Sequence, residues 1–407
     1  MSYLCRDVEP SIHYLLQHFP AVVVLGARQV GKSTLLRHTL PDAPFFDLEK
    51  DSDFQRVNDD PTLLLQEINR PVVFDEAQLS ANLFRALRVA IDQQRDQPGQ
   101  FLISGSSSPH LLRHISETLA GRVAMIELDG LMWHEVLGRK GNDILAALAN
   151  PSLFRELKPV TDKQELLSLC LHGGYPEPVL KSADKKFFRL WMENYLKTYV
   201  ERDIRALFPQ LNLDAYKRFV QMLAFASGEM INTSNFARSL DVSQPTIKNY
   251  LEIVEGTFLW RHIPSYQKNT TKRLVKMPKG HLRDTGLINY LLRIQTEGDM
   301  KAHPQFGRIW ETFVIEQVIR HFRNALERTS FHYYRTQNQA EIDLIIETDN
   351  GLIPVEIKAG SVTAKRQLVA LEQFIQEHQC PYGLVINNGD EVFKLSAKVY
   401  QVPAVYW

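Results

Sequence analysis

The sequence predicts an α/β protein: a parallel sheet covered by helices on both faces, then a helical segment, a helix-turn-helix with a β-wing, and a second, mixed α/β domain. Three features carry this prediction. Short apolar strands alternate with helical patterns from about residue 20 to about residue 137, the signature of a parallel sheet. The run Gly26-Ala27-Arg28-Gln29-Val30-Gly31-Lys32-Ser33 directly follows the apolar stretch Ala21–Leu25, so a phosphate-binding loop ends a buried strand. Near the C-terminus, strict alternation around Asp343 and again around Glu356 and Lys358 places charged residues on one face of a hairpin.

The first domain is expected over residues 1–140, with strands at Ala21–Leu25, Phe45–Leu48, Pro71–Phe74, Phe101–Ile103 and Val123–Leu128. A polar break from Gly138 to Asp143 closes it. Residues 141–210 read as a helical linker or lid, interrupted by Gly173-Gly174-Tyr175-Pro176, where glycines and a proline force a turn. The aromatic stripe from Phe187 to Tyr199 is expected to be core packing. Residues 211–295 lay out as a winged helix: a short helix Asn235–Leu240, a turn at Asp241–Ser243, and a helix N-capped by Ser243 with Ile247, Tyr250, Leu251 and Val254 on one stripe. A strand at Phe258–Ile263 and a basic turn from Gln267 to Arg273 follow. Residues 296–407 form the mixed α/β domain.

At 407 residues the chain exceeds one ordinary core. It carries 47 Lys plus Arg against 47 Asp plus Glu, so overall charge gives no argument for nucleic acid and any such argument must be local. Cys5, Cys170 and Cys380 stand far apart with no C-x-x-C spacing, so neither a disulfide framework nor a zinc site is indicated. No uncharged apolar run approaches the roughly 18 residues that span a bilayer, and Met1–Pro10 has no apolar leader core. A cytoplasmic protein is expected.

The loop from Gly26 to Ser33, with Thr34 after it, calls for a nucleoside triphosphate. Backbone N–H groups would wrap the phosphates, Lys32 would reach the β- and γ-phosphates, and the Ser33 hydroxyl would ligate Mg²⁺. Val72-Val73-Phe74-Asp75-Glu76 supplies the acidic partner: Asp75 would hold the Mg²⁺ and Glu76 would orient the attacking water. Ser104, at the end of the Phe101–Ile103 strand, would face the γ-phosphate if that strand lies beside the first, with Ser106 as second choice. Arg122 is a candidate for γ-phosphate neutralisation from a neighbouring subunit, and Arg202 competes with it.

The motifs Gly-Ala-Arg-Gln-Val-Gly-Lys-Ser, Val-Phe-Asp-Glu-Ala-Gln, Ser-Gly-Ser-Ser-Ser, Leu-Ala-Gly-Arg, Gly-Gly-Tyr-Pro-Glu and Arg-Asp-Thr-Gly-Leu-Ile together resemble prokaryotic AAA+ superfamily ATPases that carry a C-terminal domain of unknown function. The similarity covers nearly the whole chain. It implies an ATPase core, a winged-helix segment and a nuclease-like C-terminal domain, and it suggests a ring or dimer. His281 departs from it, standing where an aromatic is expected before Arg283-Asp284-Thr285-Gly286.

An Asp on one strand, then Glu-x-Lys on the next, resembles the PD-(D/E)xK nuclease core, with Asp343 and Glu356 as Mg²⁺ ligands and Lys358 favouring hydroxide formation. Asp349-Asn350-Gly351 signals the hairpin turn. With Asn350-Gly351 as the turn, Asp343 lies opposite Lys358 and diagonal to Glu356. Glu311 aligns with Ile315, Val318 and Phe322 at helical spacing, a carboxylate on an apolar stripe that needs a cation. Seven Lys or Arg and no acid between Arg261 and Arg283 suit phosphate contacts, so DNA is the expected partner. Three functions follow: an ATPase of AAA+ type coupled to DNA binding or processing, an ATP-regulated Mg²⁺-dependent DNA endonuclease, and a nucleotide switch with a protein-binding C-terminal domain.

Overall fold

The computed structural model describes residues 3–106, 118–267, 277–336, 340–364 and 368–407. The chain divides into two units, Met1–Leu131 with Gly256–Phe258, and Met132–Glu255 with Leu259–Trp407. The three later segments of the sequence layout thus belong to a single unit.

In the first unit, β1 (Ala21–Gly26), β2 (Phe45–Asp47), β3 (Val72–Asp75), β4 (Phe101–Ser106) and β5 (Val123–Glu127) form a parallel sheet in the order β2-β3-β4-β1-β5. Every residue of β1 is buried, as a strand covered on both faces requires, and its continuous apolar run reflects that. All five expected strands are present, with ends displaced by a residue or a few. The core beneath the sheet gathers Val23, Leu25, Phe46, Phe74, Leu87 and Ile103, among others. Because β4 lies between β1 and β3, Val24 pairs with Ser104 and Phe74 with Ile103. The ends of β1, β3 and β4, where the sequence places the candidate site residues, are therefore adjacent.

In the second unit, the helix Leu213–Ala226 leads to β6 (Glu229–Met230), the helices Thr233–Leu240 and Gln244–Gly256, then β7 (Trp260–Ile263) and β8 (Lys279–Leu282). The strands form a three-stranded antiparallel sheet in the order β6-β8-β7. Asp241 takes a left-handed backbone at φ 54°, and the Ser243 hydroxyl accepts the Thr246 N–H at 3.2 Å, so turn and cap fall where the sequence put them. Upstream, the helix Lys185–Thr198 runs into a π-helical stretch Tyr199–Ile204. Trp191 stacks on Tyr195, and Tyr195 on Tyr199; Tyr195 and Tyr199 are buried packing, as expected of the stripe, while Phe187, Phe188 and Trp191 are only half-buried.

The C-terminal sheet runs β13 (Phe393–Lys394), β14 (Val399–Gln401), β12 (Gly383–Asn387), β11 (Gly351–Lys358), β10 (Glu341–Thr348), β9 (Ser330–Arg335). β9, β10 and β11 are antiparallel, while β11, β12 and β14 are parallel. The hairpin register corrects the sequence expectation. Thr348 pairs with Gly351, so Asp349-Asn350 is the two-residue turn, and Gly351 follows it at φ 118°. The ladder then runs to Leu344 opposite Val355, and its continuation sets Asp343 against Glu356 rather than Lys358. The glycine was needed just after the turn, where the positive φ falls, not inside it.

Gly-Gly-Tyr-Pro-Glu and Arg-Asp-Thr-Gly-Leu-Ile meet in this unit. The buried Asp284 carboxylate accepts the Gly174 N–H at 2.7 Å and the Leu287 N–H at 2.9 Å, capping the helix Thr285–Leu291. At Gly173 the backbone has φ +76° and a Cβ would sit 2.4 Å from an Asp284 oxygen, so only glycine fits.

Candidate functional site

The phosphate loop runs from Gly26, the last residue of β1, to the helix Lys32–Thr39. Gln29 at φ 64° and Gly31 at φ 96° turn the chain through the left-handed region, which exposes successive backbone N–H groups on the concave side. A Cβ on Gly26 would lie 2.3 Å from the Leu128 carbonyl oxygen, so the loop starts where only glycine clears the neighbouring backbone. Lys32 is buried, and its Nζ donates to the carbonyls of Gly26 at 3.1 Å and Ala27 at 2.9 Å. Burial lowers its pKa, opposed by Glu76 and Asp75.

Asp75 and Glu76 end β3 beside this loop. Asp75 is buried, which raises its pKa; hydrogen bonds from Ser104 and Ser33 work against that. Ser104 Oγ donates to Asp75 Oδ1 and accepts the Glu76 N–H at 3.2 Å. The expected neighbourhood of Ser33, Asp75 and Ser104 is thus assembled. Glu76 has a left-handed backbone at φ 55°, unusual for a non-glycine residue. That backbone turns its carboxylate to 3.9 Å from Lys32 Nζ, where Gln78 donates to it at 2.5 Å. The side chain of Ser106 and residues 107–108 of the serine run lie outside the described residues. Arg28 pairs with Glu49 at 2.9 Å. Arg122 is held at the surface by Asp92, at 2.7 and 2.8 Å. Arg202 is exposed, on the π-helical stretch of the other unit.

Sequence reasoning missed Arg6. Its guanidinium is buried and donates to the Val30 carbonyl inside the phosphate loop at 3.1 Å and to the Asp129 carbonyl at 2.8 Å. It ties the loop to the chain leaving β5. Only its position in a short polar stretch was visible in the sequence, which says nothing of a partner 123 residues away.

Residues 18–137 match a family described as an AAA domain, residues 163–298 a domain of unknown function (DUF8612), and residues 306–407 another (DUF4143). The uncharacterized proteins Mb2031c of Mycobacterium bovis and Rv2008c of Mycobacterium tuberculosis are each 32% identical over 401 residues, 98% of this chain and 83% of the relative. The chain belongs to their family. Its first unit is an AAA-type P-loop ATPase fold. Among solved structures, the Walker-type ATPase PABY2304 of Pyrococcus abyssi aligns at 16% identity over 71% of this chain and 96% of that one, with a TM-score of 0.43. The RuvB Holliday junction branch migration motor of Thermotoga maritima aligns at 16% identity, covering 66% and 93%, with a TM-score of 0.29. No described helix of this family member is long and apolar enough to cross a membrane.

The C-terminal carboxylates sit in the second unit. Asp343 accepts the Ile357 N–H at 2.7 Å, and Glu356 lies 2.5 Å from Lys358 Nζ. Burial raises the pKa of Asp343, against the pull of Lys279 and Lys358. Burial and then the Asp343 charge push Glu356 up to about 8. Glu311 comes from the helix Phe306–Asn324, and burial and Asp343 push it up to about 7. Its cation is Lys279 of β8, at 2.9 Å, which also pairs with Glu341. Among the described residues no three carboxylate, histidine or cysteine side chains converge closely enough to hold a metal ion. The structure therefore groups Asp343, Glu356 and Lys358, and gives Glu311 to Lys279.

The basic stretch is partly spent internally. Arg261 forms a two-pronged pair with the buried Glu316 at 2.6 and 3.0 Å, and Arg283 reaches the same carboxylate at 3.7 Å. With Lys279, three of the seven cations are engaged inside the fold. The other four, Lys268, Lys272, Arg273 and Lys276, lie outside the described residues.

Proposed function

We propose that this chain hydrolyses ATP with Mg²⁺ and that hydrolysis drives a nucleic-acid function of its second unit. The observation that carries the reading is the contact of Ser33, Asp75 and Ser104 beside Lys32, with Glu76 on the rim. A hydroxyl and a buried carboxylate already in contact fit a hard divalent cation, which when bound would draw charge from the β- and γ-phosphates. The loop N–H groups and Lys32 would position the triphosphate, and Lys32 would leave the Gly26 and Ala27 carbonyls to do so. Glu76 would orient and deprotonate the attacking water, and Ser104 would report the γ-phosphate to β3 through its bond to Asp75. Arg122 from a second copy would complete the site in a homo-oligomer, exchanging Asp92 for phosphate. In the full-length protein, Lys32→Ala is expected to lower ATP turnover by about 10² to 10³-fold, the cost of losing one preorganised charge at the transferring group; turnover equal to the parent would reject the site.

The β6-β8-β7 sheet with its three helices supports a winged helix, and its wing, with the four remaining cations, would contact DNA phosphates. A second reading, a DNA endonuclease gated by the ATPase, is favoured by Asp343, Glu356 and Lys358. Two buried carboxylates, one of which, Asp343, raises the pKa of the other, are a donor pair a divalent cation would relieve. Plasmid nicking in Mg²⁺ is expected to disappear in Asp343→Asn; nicking that persists would assign it elsewhere. The same preparation, assayed for ATP turnover with and without DNA, separates coupling from the switch function.

A further inference from the structure

A cavity of about 530 Å³ opens in the second unit, away from every residue discussed above as catalytic. Its walls come from the end of the Lys163–His172 helix, the start of the Lys185–Thr198 helix, Gln221, and the chain that leaves the Thr285–Leu291 helix. Lys185, Lys186, Arg189 and Arg293 stand in its lining, and no aspartate or glutamate does. In a chain whose charges sum to zero, four cations and no acid around one hollow is a local concentration of positive potential. Among the described residues Arg189 has only Glu193, at 3.9 Å, as an ion-pair partner, and no carboxylate pairs with Lys185, Lys186 or Arg293. Asp184 caps the Lys185–Thr198 helix by accepting the Phe187 N–H, and Glu297 acts on His172, whose pKa burial lowers.

Arg293 holds a left-handed backbone at φ 61°, where glycine would be the cheaper residue. The turn is closed by Arg293 N–H to the Tyr290 carbonyl at 3.1 Å and Ile294 N–H to the Asn289 carbonyl at 2.8 Å. A cation is thus kept at a position that prefers no side chain at all. Behind the charged residues the lining is apolar and aromatic: Phe188, Tyr290, Leu171, Leu291 and Ile294. The hollow is too large for an inorganic anion alone and carries more positive charge than a single carboxylate would use. Its size suits a small organic ligand.

We propose that this cavity binds a nucleoside phosphate, with the phosphate on the lysine and arginine side chains and the base against Phe188 and Tyr290. The unit is either a free mononucleotide or the 5′-phosphorylated end of a strand, and the two are separated by the probe. Calorimetric titrations use the full chain with its phosphate loop saturated by Mg²⁺ and ADP, one with AMP and one with 5′-phosphorylated tetra-thymidylate. One equivalent of AMP taken up identifies the free nucleotide; tetranucleotide binding that needs the terminal phosphate, without AMP binding, identifies the strand end. Arg293→Gly keeps the turn and removes the cation, and is expected to weaken the bound probe about tenfold, as loss of a charge-assisted contact does. Gln221→Trp, which fills the mouth from an exposed helix position, is expected to abolish binding while ADP affinity at the phosphate loop stays the same. Uptake of neither probe, or uptake indifferent to both variants, overturns the proposal.

Discussion

Glu76→Gln is expected to lower ATP turnover by about 10² to 10⁴-fold while leaving ATP affinity intact, the range for removing a positioned general base. The substitution preserves shape and the main-chain bond from Glu76 N–H to Ser104 Oγ. It also preserves the left-handed backbone at φ 55° that aims the side chain. What it removes is the charge and the ability to take a proton. A glutamate confined to a sparsely populated backbone region, beside a buried lysine at 3.9 Å, is a strained arrangement that persists only where surrounding structure over-determines it. The neighbouring Asp75 predicts a different signature. It contacts Ser33 and Ser104, and with Asp75 as the proposed Mg²⁺ ligand, Asp75→Asn is expected to weaken Mg²⁺-dependent affinity as well as turnover. Single-turnover rates and nucleotide dissociation constants for Glu76→Gln separate the two roles. Turnover within about twofold of the parent would remove Glu76 from the chemistry.

The first unit was largely legible because its signals are local. A strand covered on both faces is a continuous apolar run, and a phosphate loop compresses its backbone requirements into eight adjacent residues. Strand order was not legible. The adjacency of Ser104 and Asp75 depends on β4 lying between β1 and β3, a long-range fact that the sequence expressed only as a condition on Ser104. In the second unit, alternation found both strands of the β10-β11 hairpin but misplaced its turn by one residue, because an Asn-Gly pair signals a turn without saying whether glycine sits inside or just after it. That single step moved Asp343 from Lys358 to Glu356. The basic stretch was legible only in part. Arg261, Lys279 and Arg283 look like a phosphate-binding surface when counted along the chain, yet Glu316 and Glu311, some thirty or more residues later, neutralise them. Charge counting registers the cations and cannot register partners that arrive through tertiary packing. Arg6 is the same lesson at the other end.

Lys279→Met tests that internal pairing, and its effect is expected to be large and strongly pH-dependent. Removing one partner of a buried ion pair costs about 3–5 kcal/mol when the remaining charge stays buried and ionised. Lys279 is 5% exposed and stays charged through the neutral range: burial opposes its charge, but Glu311, Asp343 and Glu341 outweigh that and raise its pKa. Glu311 has an escape that Lys279 does not, since it titrates at about 7 even with the lysine present. In the parent, Glu311 near 7 and Glu356 near 8 bind protons in the folded state that the unfolded chain, with carboxylates near 4.3, has released. Between those limits the folded state holds more protons, so stability falls as pH rises from about 4.5 to 8. Loss of Lys279 moves Glu311 further up and steepens that fall. At pH 5 the variant protonates Glu311 and the penalty is small; at pH 9 the full cost of a buried, unpaired carboxylate is paid. Urea unfolding of parent and variant at the two pH values measures the difference directly. Glu311→Gln in the Lys279→Met background is expected to recover most of the loss at pH 9 and little at pH 5, because it replaces the charge that pH 5 has already removed. Equal penalties at both pH values would mean that Lys279 stabilises through its stem or its pair with Glu341 rather than by holding Glu311.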